Sequence, residues 1–294
     1  MGGRTLRLPT RLARRIFVET MQRERDPGAL AALSDWLAYH RDRLNERRRQ
    51  LEHEPEPIPA IPSYDCTELL RRSLVRERAP WSATVPSPCD IPGMISDEER
   101  QYYEYLGRFH SGAGAAVEIG PWLGCSTHHL VAGLVANPRF SGRRLHVVDG
   151  FVWYDFMDAW YAGPDRPARG EGFRHLFDRY TTAFAVHLDV RAARVAVDGL
   201  NAHVSPLDWQ GGPIELCVVD CGRTIEANEG WYARLAPHFI PDRTLVVMQD
   251  WQLFKEIPVS WYNQTELFTR SKGRSFDLVH ELAHGAAATF LFRG

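Results

Sequence analysis

The sequence has few cysteines and none of the spacings typical of zinc-binding or disulfide-rich domains. Its five cysteines are odd in number and contain no CxxC pair. We interpret them as reduced thiols of a cytosolic protein.

Long apolar runs and an excess of one charge are also missing. No stretch approaches the roughly 20 apolar residues that cross a bilayer, and the start of the chain lacks the apolar core of a secretory signal. That Arg-rich, acid-free start leaves two interpretations open, a transit peptide or a basic first helix, of which we prefer the second. The formal net charge is -2, which gives no chain-wide basic field for nucleic acid. We expect a small-molecule substrate, no nucleic-acid partner and no membrane partner.

The first third of the chain is rich in charge and proline. Apolar residues recur at helical spacing over 12–52, and closely spaced prolines over 52–65 and 80–94 indicate extended linkers. Ser96 and the acidic residues after it predict the start of a helix. We therefore expect a helical N-terminal extension over 1–110 and one main domain over 111–294. The N-terminal helices offer a surface through which copies of the chain could pair as a homo-oligomer.

From Ala115 onwards, short apolar runs alternate with helical segments, which is the pattern of a parallel sheet covered on both faces. We predict strands over 115–119, 145–149, 193–197, 214–220, 244–250, 276–282 and 287–292. Four of the first five predicted strands end at an acidic residue or just beside one, and the carboxyl ends of parallel strands form the ligand edge of an open sheet. The acids expected on this rim are Glu118, Asp149, Asp198, Asp220 and Asp250.

The segment AAVEIGPWLGCSTHHL joins a buried strand to a helix through Gly120 and Gly124. Glycine permits positive φ and a close approach of the backbone, and the start of the helix offers unpaired N–H groups to a ligand. The segment resembles the first motif of class I S-adenosylmethionine-dependent methyltransferases, in the branch of small-molecule O-methyltransferases. The resemblance spans about residues 115–294 and implies a Rossmann-like, seven-stranded, mostly parallel sheet with helices on both faces.

The resemblance also assigns roles to residues near the predicted rim. Gly120 and Gly124 would lie against the methionine part of S-adenosylmethionine, Asp149 would accept hydrogen bonds from the ribose, and Asp198 would lie near the adenine. The residues that it assigns to cofactor binding are Glu118, Gly120, Pro121, Gly124, Ser126, Thr127, Asp149, Gly150, Phe151, Asp198 and Asp220.

A second match, from IELCVVDCGRT to LVVMQDW, is similar to the metal-binding part of this family. By that likeness Asp220, Gln249 and Asp250 would hold Mg²⁺. Where relatives carry a His or Lys base this chain has Arg223, which stays protonated and cannot serve as a base. The alternative is a hydrogen-bonding rim without metal, with Arg223 holding an anionic substrate group. We prefer this second interpretation slightly, because the neutral Gln249 removes a charge from the site.

The segment His280-Glu281-Leu282-Ala283-His284 matches the HExxH pattern of zinc proteases. Its alternation and the glycine that follows favour a strand and a hairpin turn instead of the helix that zinc binding needs. Such a turn would bring His284 to the ligand rim, where it and Asp220 are the candidate bases of a methyl transfer. A surface turn without a catalytic role is the alternative.

Two further features leave alternatives open. The aromatic residues over 153–161 would form either a substrate lid or a packed face, and at most one of His128 and His129 should point to the site.

The function we predict is S-adenosylmethionine-dependent methylation of a small molecule, with O-methylation of a natural-product or sugar-type acceptor preferred. One alternative is a methyltransferase-like protein that binds the cofactor without methyl transfer or catalyses another reaction. Another is a nicotinamide-dependent oxidoreductase, although the middle glycine of GxGxxG is missing.

Overall fold

A computed structural model describes residues 64–75, 79–255, 257 and 264–294. These residues belong to one compact unit, Glu56–Gly294. The helices expected over 12–52 and most of the first proline-rich linker lie outside the described residues. In the part of the chain that is described, no helix combines the length and apolar character needed to span a membrane.

Over the described residues, seven strands form one sheet in the order β3-β2-β1-β4-β5-β7-β6. The first five strands pair in parallel, and β7 pairs antiparallel with both β5 and β6. The strands are β1 Ala115–Ile119, β2 Leu145–Asp149, β3 Leu188–Ala192, β4 Ile214–Val219, β5 Leu245–Met248, β6 Phe276–Glu281 and β7 Ala288–Phe292. The predicted mostly parallel α/β sheet is confirmed.

The described α-helices lie in two groups that cover the two faces of this sheet. They are α1 Cys66–Val75, α2 Asp97–Arg108, α3 Cys125–Val135, α4 Arg174–Tyr180, α5 Ile225–Leu235 and α6 Gln264–Ser271. Alternate strand residues face opposite ways, so Val218 packs in a core with residues of α1 to α4, whereas Cys217 and Val219 pack in a second core with residues of α5 and α6. The sheet thus has a core on each face, as the Rossmann-like prediction requires.

The third strand is the one whose predicted position is wrong. The sequence predicted it over 193–197, but β3 spans Leu188–Ala192, and the next residues form a loop after Ala193 N–H donates to the Asp149 carbonyl. Because β3 is an edge strand with mostly half-buried residues, its apolar signal is weaker than that of the loop behind it. Asp198 consequently lies beyond the end of a strand.

Helix α2 begins as the sequence predicts. The Ser96 side chain accepts from the Glu99 N–H, and the Glu99 carboxylate accepts from the Ser96 N–H, which together form a capping box. Tyr102, Tyr103 and Leu106 are buried, as expected. Because α2 packs against the domain, it contributes residues to the sheet's carboxyl edge. The domain boundary near residue 110 stays a prediction.

Candidate functional site

The strand order reverses between β1 and β4, which places a crevice outside their carboxyl ends. Gly120 follows β1 and Asp220 follows β4, and the Asp220 N–H donates to the Ile119 carbonyl at 2.8 Å. The two turns that border the crevice are therefore joined directly through their backbones.

Positive backbone φ angles cluster at this edge. Gly120 has φ 81° and Gly124 has φ 97°, while two bulky residues, Trp122 and Phe151, have φ 48° and 50°. Residues other than glycine rarely adopt positive φ, and residues with strained backbones concentrate at functional sites. A Cβ on Gly120 would lie 2.9 Å from the carbonyl carbon and oxygen of Asp220. Gly120 is thus needed for the packing of the turn as well as for any ligand.

Glu118, the fourth residue of β1, has a buried carboxyl group of which only one oxygen has a hydrogen-bond partner in the described part of the chain. The Thr127 hydroxyl donates to its Oε2 at 2.5 Å, whereas its Oε1 has no hydrogen-bond partner among the described residues. Burial raises the pKa of Glu118 to about 7, against the lowering effect of the Ser126 and Thr127 hydroxyl groups. A buried carboxyl oxygen without a partner is the kind of group that a polar ligand completes.

Asp149 ends β2 beside the glycine turn. Its Oδ1 accepts the Phe151 N–H at 2.6 Å. Burial raises the pKa of Asp149 to about 6, against the backbone N–H groups of Phe151, Trp122 and Gly150. A Cβ on Gly150 would meet only Val152, at 4.0 Å, so the backbone next to this carboxylate is open to a ligand.

These features fit S-adenosylmethionine. The carboxyl groups of Glu118 and Asp149 flank the turn from Gly120 to Gly124, so one ligand could meet both acids and the backbone between them. Asp149, to which the family resemblance assigns the ribose hydroxyls, is the last residue of β2.

Next to β4 and β5, the edge of the crevice carries two oppositely charged side chains that contact each other. Arg223 Nε donates to Asp250 Oδ2, and the guanidinium carbon lies 5.4 Å from the centre of the Phe156 ring. Burial and the nearby Asp250 raise the pKa of Asp220 well above its ordinary value, and the charge of Arg223 opposes this. Asp220 is therefore the group on this side that is most able to take up a proton.

The three residues expected to bind Mg²⁺ do not fit it in this arrangement. Gln249 is buried, its Oε1 accepts the Tyr103 hydroxyl, and its Nε2 donates to Glu99 at 2.7 Å. Asp250 pairs with Arg223. Of the three, only Asp220 has a carboxylate that is not already held by one of these contacts. One carboxylate alone is a poor ligand set for a hard divalent cation.

Two predicted site residues lie on exposed turns. Asp198 is exposed and accepts the Tyr154 hydroxyl at 2.6 Å. His284 is exposed in the turn between β6 and β7, where its backbone N–H donates to Glu98. Because β6 is parallel to β5, this turn does lie at the carboxyl edge, and the prediction of a strand and turn in place of a zinc-binding helix is confirmed.

The aromatic segment after β2, predicted as either a substrate lid or a packed face, contains both buried and exposed residues. Trp153 and Tyr161 are buried, whereas Phe156 and Trp160 are 49% and 56% exposed. The exposed Phe156 also contacts Arg223. Part of the segment thus packs in the core, and part lies over the rim where an acceptor would enter.

Sequence reasoning missed the role of Tyr103 and Glu99 at this edge. They lie more than a hundred residues before Gln249, yet both contact its side chain. Tyr103 was predicted only as a core residue, and no spacing signal connects a helix before the domain to the end of β5. The contact depends on tertiary packing alone.

No protein-family model matches the chain, and no curated protein matches its sequence. Several solved structures match its fold, and they include methyltransferases. Cofactor-bound Rv0187 from MTB gives a TM-score of 0.46 at 15% identity, with 69% of this chain and 84% of that chain covered. The O-methyltransferase NovP gives 0.42 at 13% identity, with 67% and 79% covered. SAH-bound PaMTH1 from Podospora anserina gives 0.43 at 10% identity, with 87% and 96% covered. The function of this chain must be inferred from its own residues.

Proposed function

We propose that the protein is an S-adenosylmethionine-dependent methyltransferase that methylates an oxygen of a small molecule without a metal ion. The observation that carries the proposal is a pair of carboxyl groups beside the glycine turn at the carboxyl edge of the sheet, the buried Glu118 of β1 and the half-buried Asp149 at the end of β2, both with raised pKa values. A nucleoside with a cationic amino acid part suits two acids of this kind, because their oxygens accept from hydroxyl and ammonium groups.

When bound, S-adenosylmethionine supplies a sulfonium-activated methyl group. The protein then has to hold the acceptor in line with that methyl group and exclude water. The half-exposed Phe156 contacts Arg223, which follows β4 at the carboxyl edge and pairs with Asp250. We assign these residues to the acceptor, and an aromatic ring beside a guanidinium suits a flat or sugar-type molecule that carries oxygen atoms.

A hydroxyl acceptor must also lose its proton. Asp220 is the base we propose, because burial and the neighbouring Asp250 raise its pKa and so strengthen it as a proton acceptor. His284 is the second candidate base, and its exposed position on the hairpin turn makes it the less favoured one. The ion pair with Asp250 holds the Arg223 guanidinium near Asp220. This positive charge stabilises the Asp220 carboxylate before Asp220 takes the proton.

The first test is calorimetry of the purified full chain with S-adenosylmethionine and with S-adenosylhomocysteine, using NAD⁺ as the control nucleotide. We expect saturable binding of both adenosyl compounds and none of NAD⁺. Binding of NAD⁺ alone would support the oxidoreductase alternative and contradict the proposal.

The second test measures transfer of a labelled methyl group to a panel of phenolic, sugar and carboxylic acid acceptors, with chelator and with added Mg²⁺. We expect turnover that chelator leaves unchanged and that Asp220→Asn abolishes while cofactor binding remains. If chelator stops turnover and Mg²⁺ restores it, the metal-free part of the proposal is wrong. If the cofactor binds but no acceptor is methylated, the alternative of a binding protein without transfer activity is favoured.

A further inference from the structure

A cluster of three side chains that the proposed function does not use lies at the start of α3. Cys125 is the first residue of α3, and His129 is one turn further along the same face. Cys89 joins them from the extended segment before α2. One ligand atom from each residue lies within 4.8 Å of the other two, and the two sulfur atoms are 3.9 Å apart.

His129 lacks the partners that a buried histidine normally has. Its side chain is 1% exposed, and neither ring nitrogen has a hydrogen-bond partner within the described part of the chain. Most buried polar side chains are paired, so an exception requires an explanation such as a bound ion. The thiols beside it are weak hydrogen-bonding groups, but they are strong metal ligands once deprotonated.

The separation of the sulfur atoms matches a shared metal ion. Two thiolates at about 2.3 Å from zinc in tetrahedral geometry are about 3.8 Å apart, close to the 3.9 Å observed. A disulfide would need about 2.05 Å between the sulfurs. Thiolate and imidazole ligands select zinc and other soft or borderline ions, and they do not suit magnesium or calcium.

We propose that Cys89, Cys125 and His129 form a zinc site, with both sulfurs and one ring nitrogen as ligands and a water molecule in the fourth position. Binding releases the two thiol protons to solvent, so that the two thiolates balance the charge of Zn²⁺. The ion joins the segment before α2 to the residue that follows Gly124. The ion therefore holds the end of the glycine turn in place through Cys125.

Charged groups around the cluster are compatible with this ion. Glu104 Oε2 lies 3.8 Å from His129 Nδ1, and a carboxylate in this position can accept from the ring nitrogen that does not bind metal. Burial raises the pKa of the Cys125 thiol to about 12, with a smaller opposing effect from the charge of Arg100. Without metal the Cys125 thiol stays protonated.

The test is metal analysis of the full chain after removal of any affinity tag, followed by replacement of the metal with Co²⁺. We expect stoichiometric zinc, and with Co²⁺ the intense charge-transfer absorption of a thiolate complex. Cys89→Ser and His129→Phe should each weaken zinc binding by at least about tenfold in competition with a chelator, since each removes a direct ligand. Cys221→Ser is the matched control, because Cys221 is a half-buried cysteine outside the cluster, and it should bind zinc as the wild type does.

Three results would overturn the proposal. The first is a reduced wild-type protein that takes up neither zinc nor cobalt, which would leave the cluster as packing only. The second is zinc binding by Cys89→Ser and His129→Phe that is as tight as in the control, which would place the metal elsewhere. The third is a titration of free thiols that shows a disulfide between Cys89 and Cys125 in the protein as isolated. None of these results depends on methyl transfer, so they do not test the proposed function.

Discussion

Glu118 and Asp149 illustrate how burial changes the chemistry of single residues at the edge of the sheet. Glu118 is next to last in β1 and Asp149 is last in β2, and both pKa values are raised because burial disfavours the charged form. A carboxyl group in this condition is a poor site for an isolated charge but a good acceptor for a ligand that brings hydroxyl or cationic groups. Two predictions follow from this at the residue scale.

Replacing Asp149 with alanine should weaken the binding of S-adenosylmethionine by about 1.5–3 kcal/mol, the range for hydrogen bonds to a charged group. Calorimetry of the variant would measure the change. Asp155→Ala is the matched control, because Asp155 lies after β2 with an exposed side chain that pairs with Arg169 at the surface. Equal affinities in the two variants would remove Asp149 from the cofactor site.

Cofactor affinity should fall as the pH falls through 7 and then 6. Ligand hydroxyl and ammonium groups need ionised carboxylates, and the pKa values of Glu118 and Asp149 are about 7 and about 6. Below each pKa the proton must be removed before the ligand binds, so the affinity at about pH 5 should be at least about tenfold weaker than at about pH 8. Calorimetry across this range would show it. Glu118→Gln should remove the part of the dependence near pH 7, and an unchanged profile in that variant would contradict the role of Glu118.

At the scale of single elements, the turn between β1 and α3 combines a sequence motif with a tertiary constraint. The glycines of this turn predict a ligand-binding role, whereas the structure adds a contact between Gly120 and the backbone after β4. A substitution there thus affects the packing of two strands in addition to the ligand.

Gly120→Ala should lower the free energy of unfolding by more than Gly142→Ala does. Both glycines have φ between 70° and 85°, at 81° and 73°, so both variants lose about 1–2 kcal/mol from the left-handed conformation. A Cβ on Gly142 meets nothing within 4 Å, but one on Gly120 meets the Asp220 backbone at 2.9 Å, which adds about 1–3 kcal/mol. Urea unfolding of both variants would measure the difference, and equal losses would show that the turn relaxes freely.

Elements whose signal is local were predictable from the sequence. The capping residue Ser96, the buried strands β1, β2, β4 and β5, and the hairpin of β6 and β7 were all found from periodicity and turn residues. Strand β3 was misplaced, because an edge strand with half-buried residues lacks the apolar run that marks a central strand.

The candidate site was predictable only in part, for the same reason. The glycine turn and the acids at the carboxyl ends of β1, β2 and β4 were predictable from where the strands end. In contrast, the contact of Tyr103 with Gln249 and the approach of Cys89 to Cys125 join positions far apart in the chain. Spacing rules for metal ligands and catalytic pairs detect neighbours in sequence, so they could not find either contact.

At the scale of the whole molecule, Glu99 connects three parts of the fold. Its carboxylate accepts from Ser96 at the start of α2, from Gln249 at the end of β5 and from Ala286 in the turn between β6 and β7. Together with Tyr103, it couples the helix before β1 to Gln249 at the end of β5.

Tyr103→Phe should reduce the free energy of unfolding by about 1–3 kcal/mol, because the buried Gln249 oxygen loses its hydroxyl donor. Equilibrium unfolding in urea would measure the loss. Tyr232→Phe is the control, since Tyr232 is a half-buried tyrosine of the second core, and it should change stability by less than about 0.5 kcal/mol. A Tyr103→Phe variant as stable as the control would show that Gln249 finds another partner.

The position of β7 between β5 and β6 has a consequence for synthesis on the ribosome. The outer edge of β5 stays unpaired until residues 288–292 have been translated and have left the exit tunnel, because β6 emerges earlier but does not pair with β5. At ordinary translation rates this leaves an open, apolar strand edge for a few seconds. A chaperone that binds nascent extended segments would therefore meet this chain at β5, and a codon-dependent pause between β5 and β7 would lengthen the interval in which two nascent copies can pair there and aggregate.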